Sequence, residues 1–150
     1  MSSTIEYALR AVVWLADHDE RPQTTAKIAD GTKMPPSYLS KVLQGLSRNG
    51  LVKSQRGLHG GFSLAVDANT LTVLDVVNAI EPMQRILTCP LGLSTHGKKL
   101  CALHQSLDDI MADTEKAFAA QTIGALLDRP GKSKPLCNVT VKGKTTQAKK

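Results

Sequence analysis

Apolar residues recur at helical spacing from the start of the chain. Ile5, Ala8, Leu9, Val12 and Ala16 keep a 3.6-residue period behind a Ser3-x-x-Glu6 pair at capping-box spacing. This predicts a first helix over about residues 4–17, with Trp14 in the core. The polar run 17–23, containing Pro22, is expected to be a loop. Thr24 or Thr25 then caps a short second helix over residues 26–30 that ends at Gly31. The chain must be extended before Pro35 and Pro36, so a third helix starts at Pro36 or Ser37. Its apolar positions Leu39, Val42, Leu43 and Leu46 fall at i, i+3, i+4 and i+7. The opposite face carries Ser37, Ser40, Lys41, Gln44, Ser47 and Arg48, and Asn49-Gly50 closes the helix.

Two β-type runs follow, residues 51–55 and 62–65, around Arg56-Gly57-Leu58-His59-Gly60-Gly61. This reads as a hairpin with a basic tip. A short helix, a tight turn, a longer helix with a polar face and a basic hairpin make a winged helix-turn-helix. Thr72-x-x-Asp75 opens a further helix, 73–81, with Val73, Leu74, Val76, Val77 and Ile80 on its apolar face; Pro82 stops it. Residues 83–99 lack periodicity and hold Cys89, Gly92 and Gly97.

A long helix over about 100–120 carries Leu103, Leu107, Ile110, Met111, Thr114, Ala117 and Phe118 as an approximate heptad stripe. A short closing helix follows near 122–128. The expected fold is mainly α with a small β-hairpin: a winged helix-turn-helix plus a long C-terminal dimerisation helix. The expected organisation is a DNA-binding domain (1–82), a cysteine-containing loop (83–99), a dimerisation region (100–128) and a disordered basic tail (129–150). The long amphipathic helix has no second half-domain to cover it, so a homodimer is expected.

Charge sharpens this picture locally rather than globally. The formal net charge is +6, but residues 129–150 hold seven cations and no acid, so the overall basicity belongs to the tail. Between Thr24 and Val66, six Lys or Arg stand against Asp30 alone, an electrostatic footprint for phosphate. Residues 103–128 hold five acids against one lysine and should avoid DNA. No apolar run approaches the ~20 residues of a membrane span, and the N-terminus lacks a signal-peptide pattern. A cytoplasmic protein with no membrane partner is therefore expected.

Taken together, the chain resembles the Rrf-type family of bacterial winged-helix regulators, the IscR- and NsrR-like proteins. The resemblance rests on Tyr7-Ala8-Leu9-Arg10-Ala11, Ile28-Ala29, Ser37-Tyr38-Leu39, Leu46, Asn49-Gly50-Leu51-Val52 and Arg56-Gly57-x-x-Gly60-Gly61-Phe62-x-Leu64. Asp75-Val76-Val77-x-Ala79-Ile80 and Thr122-Ile123-Gly124 continue it in one register. It implies a dimeric regulator, of the repressor kind, that binds a double-stranded DNA operator and is not an enzyme. The implied DNA contacts are Ser37, Tyr38, Ser40, Lys41 and Gln44 on the recognition helix, Arg56 and His59 on the wing, and Thr25 at the backbone. Arg56 and Gln44 are the best suited to reading bases, because Ser and Lys contact phosphate as readily.

Many relatives carry three cysteines before the dimer helix that ligate an iron–sulfur cluster. Here Cys89, Thr95 and Cys101 keep that spacing, with threonine in the middle. The resemblance makes Cys89, Cys101 and His104 candidate ligands of a 2Fe–2S cluster. Glu6 is a further candidate, at a position where some relatives supply an acidic ligand from the partner subunit, although the capping box already accounts for it. Such a cluster needs four protein ligands; the two cysteines with two of His104, His96 and Glu6 would suffice, whereas a neutral Thr hydroxyl is a poor ligand.

The alternatives are a thiol switch through a Cys89–Cys101 disulfide or an oxidised thiol, and a regulator with no cofactor. A zinc site including His96 fits no common spacing. A hydrolase built on Cys101 and His104 lacks any sequence signal for an oxyanion hole, and a cluster-carrier protein would not need the polar helix and basic wing. Cys137, in the tail, lies beyond the resemblance.

Overall fold

The computed structural model describes residues 1–93, 95, 99–129 and 135–136. Its elements in order are α1 (Ser3–Asp17), α2 (Thr25–Thr32), α3 (Pro36–Arg48), β1 (Val52–Gln55), β2 (Gly61–Leu64), α4 (Val73–Ile80), α5 (Ala102–Ala119) and α6 (Ile123–Leu127). The two strands pair antiparallel with Val52 opposite Leu64 and Gln55 opposite Gly61.

α1 is the central rod, packing against α2, α3, α4, α6 and β2. It can serve so many neighbours because its inward positions include Ala8 and Ala11, whose small side chains let helices approach closely; both are fully buried. Leu39, Leu43 and Leu46 of α3 complete the core with Ile28, Val76, Val77 and Ile123. Each such aliphatic side chain contributes about 1.5–3 kcal/mol relative to exposure.

Local chemistry sets the helix ends. Thr24 caps α2 by accepting from the Lys27 N–H, so Thr25 is the first helical residue and not the cap. Thr72 and Asp75 form a complete capping box on α4, as expected from their spacing. The Ser3–Glu6 box is not formed. Ser2 caps α1 by accepting from Ile5 N–H, and Glu6 instead pairs with Arg10 one turn on, at 2.5 Å. Nor does Gly31 end α2: the helix continues to Thr32 and stops on Lys33, in the left-handed region at φ 56°. Gly31 serves packing, since a Cβ there would lie 2.1 Å from the Trp14 ring. Trp14 is half-buried and stacks on His18 at 4.0 Å between ring centroids.

The expected loop at 17–23 ends in a structural element. Gln23 is 6% exposed and exchanges both backbone hydrogen bonds with Phe62 at 2.8 Å, adding a third, one-residue strand to the wing. At the other end of the domain, Thr72 bridges Thr122, which brings Ile123 of α6 into the core.

α5 is shorter than expected, and its own domain covers its apolar stripe only in part: Phe118 packs against the core and Met111 is half-buried. Leu103, Leu107 and Ile110 are 64%, 43% and 61% exposed, and the buried residue of the helix is Asp108. Apart from residues 129, 135 and 136, the expected basic tail lies outside the described residues, as do Cys137 and His96. Among the described residues no helix is long and apolar enough to cross a membrane.

Candidate nucleic-acid interface and cysteine site

α3 follows α2 through the Lys33–Pro35 turn and turns Leu39, Val42, Leu43 and Leu46 inward. That leaves Ser37, Tyr38, Ser40, Lys41 and Gln44 exposed. Ser40 donates its hydroxyl to Pro36 O at 3.1 Å, leaving only its lone pairs to the outside. The Tyr38 ring meets Tyr7 edge-on at 5.4 Å, which fixes the start of α3 on α1. Lys41 and Gln44 side chains make no hydrogen bond or ion pair with any described residue, so their full bonding capacity faces outward.

The wing tip, residues 56–60, turns at Gly57 (φ 108°) and Gly60, whose N–H returns to Gly57 O at 2.9 Å. A Cβ on Gly60 would stand 2.4 Å from Gln55 O, so the tight turn requires glycine there. Arg56, Leu58 and His59 project from this turn and are exposed, Leu58 almost completely. Thr25 is half-buried at the start of α2.

The cysteine site forms between the 83–99 loop and the start of α5. Cys101 is the N-cap residue of α5 and His104 lies one turn in, so their spacing brings them to one face. Nδ1 of His104 lies 3.2 Å from Cys101 Sγ and 3.9 Å from Cys89 Sγ. One ring nitrogen therefore faces both sulfurs; all three residues are half-buried, and the two cysteines are not joined in a disulfide. Thr95 is exposed. Glu6 is engaged by Arg10, which also donates to Thr32 O at 3.0 Å. Among the described residues no group of three or more His, Cys, Asp or Glu is arranged to hold a single metal ion.

A 2Fe–2S cluster needs four protein ligands, and the described residues bring together fewer. Two thiols and an imidazole converge, while Thr95 offers a poor ligand.

An unexpected clamp holds this loop to α5. Arg85 donates from Nε and Nη2 to the two oxygens of Asp108, and Asp108 also accepts from the Ile86 N–H at 2.9 Å. Glu115 lies 3.5 Å from the same guanidinium. The hydrogen bond from Arg85, reinforced by the Ile86 N–H, holds the Asp108 carboxyl below the usual carboxylate range; the same pairing raises Arg85. The sequence signal for this clamp is slight: an acid beside Leu107 within the apolar stripe, and one cation in the 83–93 segment.

A helix-turn-helix whose second helix turns a polar face outward beside a hairpin with a basic tip defines a winged-helix DNA-binding regulator. Residues 1–129 match the model of the Rrf2 family, described as iron-dependent transcriptional regulator, and the chain belongs to that family.

Among curated proteins, a provisionally named HTH-type transcriptional regulator of Aquifex aeolicus (strain VF5) is 30% identical over 130 residues, covering 85% of this chain and 90% of its own. YffB of Lactococcus lactis subsp. lactis (strain IL1403), likewise provisionally named an HTH-type transcriptional regulator, is 32% identical over 117 residues, 73% of this chain and 75% of its own. Among solved structures, T. potens IscR superposes with a TM-score of 0.71 at 23% identity, over 85% of each chain. CymR (YrzC), the global cysteine regulator of B. subtilis, gives 0.69 at 25% identity, over 84% of this chain and 94% of its own. The winged-helix fold and the role in transcription regulation stand on these matches.

Proposed function

We propose that this regulator binds a double-stranded operator as a homodimer and that the group at Cys89, Cys101 and His104 sets its affinity. The observation that carries the sensing part is the convergence of two thiols on one imidazole nitrogen, at 3.2 and 3.9 Å, in a half-buried site. Residues 1–82 read DNA. Gln44 and Arg56 reach base edges, Ser37, Ser40, Lys41 and His59 work with Tyr38 and Thr25 along the backbone, and Arg56 suits a narrow minor groove. Residues 83–99 sense, and residues 100–128 dimerise through Leu103, Leu107 and Ile110, whose exposure a second copy of α5 would relieve. Two reading heads then address two half-sites. The regulatory family supports a transcription regulator, which we read as a cytoplasmic repressor.

Cys89, Cys101 and His104 would hold a 2Fe–2S cluster, with Glu6 of a second protomer as candidate for the fourth position. When bound, the cluster supplies a reversible redox couple, the imidazole ligand raising its potential. The chain's own part is mechanical. The Arg85–Asp108 clamp ties the loop to α5, so any rearrangement at Cys89 bears on the dimer helices and hence on the spacing of the wings. The second reading is a thiol switch, favoured by the threonine at position 95 and by the closeness of both sulfurs to one imidazole.

The absorption spectrum with iron and sulfide content, for protein purified without oxygen, separates the two. Visible absorbance lost in Cys89→Ala and in Cys101→Ala supports the cluster. A colourless, iron-free protein even after reconstitution leaves the thiol switch.

A further inference from the structure

Arg21 and Lys27 stand on the ridge between two surface grooves. The groove on one side, about 390 Å³, is lined with Asp17, Glu20 and Asp30. The other, about 310 Å³, opens between the start of α2 and the wing; none of the described residues lining it is a carboxylate. Its charge comes from Arg21 and Lys27 on one wall, with the His59 ring on the other, Thr24 and Gln55 as polar neighbours and Leu58 on the rim. Neither Arg21 nor Lys27 forms an ion pair among the described residues, although carboxylates stand just across the ridge.

The segment bearing Arg21 is fixed in place. Gln23 is bridged to Phe62 of the wing, and its buried side chain donates to Arg21 O at 3.0 Å and to His18 O at 3.4 Å. Pro22 restricts the backbone between them. The two walls of the groove are therefore tied together, because the Gln23–Phe62 bridge that extends the wing also borders the groove.

We propose that this groove takes one DNA backbone phosphate, held by Arg21 and Lys27 opposite His59. The inference rests on the DNA-reading function of the wing and extends the contact surface beyond α3 and the wing tip to the α1–α2 loop. Two cations with no acid on the wing side suit a phosphate and carry no base information. Arg21 and Lys27 thus add affinity and register without changing the sequence read.

The test begins with the operator that the wild-type protein selects from a random duplex pool. Binding to that duplex and to a random one is then measured across salt concentrations. Arg21→Gln/Lys27→Gln is compared with Lys27→Gln alone, which leaves the loop intact, and with Lys116→Gln on α5 as control. The expected result is a shallower salt slope for the double variant, by about 0.9 for each protomer bound, with the same selected sequence. Lys27→Gln should move the same way and Lys116→Gln not at all. A wild-type slope in the double variant, or a changed sequence preference, overturns the proposal. If the wild type itself selects no sequence, sequence-specific reading fails, while the slope on the random duplex still decides the groove.

Discussion

Arg85 and Asp108 meet through two parallel hydrogen bonds of 2.7 Å, Nε to Oδ1 and Nη2 to Oδ2. They are 23 residues apart in sequence, and Asp108 is the buried residue of a helix whose Leu103, Leu107 and Ile110 are exposed. The pair fastens the segment leading to Cys89 onto α5. At the same loop's entry, Asn78 of α4 accepts from the Met83 N–H at 3.0 Å, and Asn49, closing α3, donates to Ala79 O at 2.9 Å. A chain of specific contacts thus joins the cysteine loop to the end of the recognition helix.

The clamp should show itself in acid. Asp108 has its carboxyl held down by Arg85, so its contribution is present above the ordinary carboxylate pKa near ~3.9 and fades as pH falls through the lower folded value. Urea unfolding of wild type and Asp108→Asn should differ at pH 7, with the variant less stable, and the gap should close as pH falls through the lowered folded value of Asp108. A gap that persists unchanged in acid would mean the carboxylate charge is not what stabilises the site.

Arg56→Ala and Gln44→Ala should separate reading from holding. Each is expected to cost about 1–3 kcal/mol on the selected operator and far less on a random duplex, while leaving folding intact because both side chains are exposed. Equal losses on both duplexes would make them backbone contacts only.

Much of the reading face was legible in the sequence because its signals are local. Pro36 and the Leu39–Leu46 period placed α3 to within a residue at its start, and the Thr72–Asp75 spacing placed a capping box that is present. The same spacing rule failed at Ser3 and Glu6, where three consecutive hydroxyl residues compete for the cap and Arg10 draws Glu6 one turn onward. Gly31 looked like a stop because a glycine's role in admitting a distant ring cannot be read from its neighbours. The Gln23–Phe62 bridge and the Arg85–Asp108 pair were illegible for the same reason: both are non-local, and neither follows a period. At the cysteine site, the Cys101–His104 half followed from helical spacing, whereas the approach of Cys89 depends on the path of the loop.

Gly61 gives a stability test of the unexpected strand. A Cβ at that position would lie 2.4 Å from Gln23 O, on a backbone at φ 153°. Gly61→Ala should cost about 1–3 kcal/mol in denaturant unfolding, the usual cost of forced overpacking. It should also weaken DNA binding by loosening the wing. Full stability in the variant would show that the bridge gives way without loss.

Leu103→Glu/Ile110→Glu tests the dimer. Both side chains are more than half exposed, so the variant should fold, and sedimentation should report a monomer with operator affinity reduced at least tenfold through loss of the second half-site. An unchanged dimer would move the interface elsewhere.

The most direct measurement is operator affinity at fixed salt, for protein purified without oxygen and again after oxidation or removal of any bound iron. Wild type is to be compared with Cys89→Ala and Cys101→Ala. The expected result is a change of about 5- to 150-fold in wild-type Kd that both variants lose. A wild-type affinity indifferent to either treatment, or a change that persists in the variants, would contradict control of DNA binding by the Cys89–Cys101–His104 site.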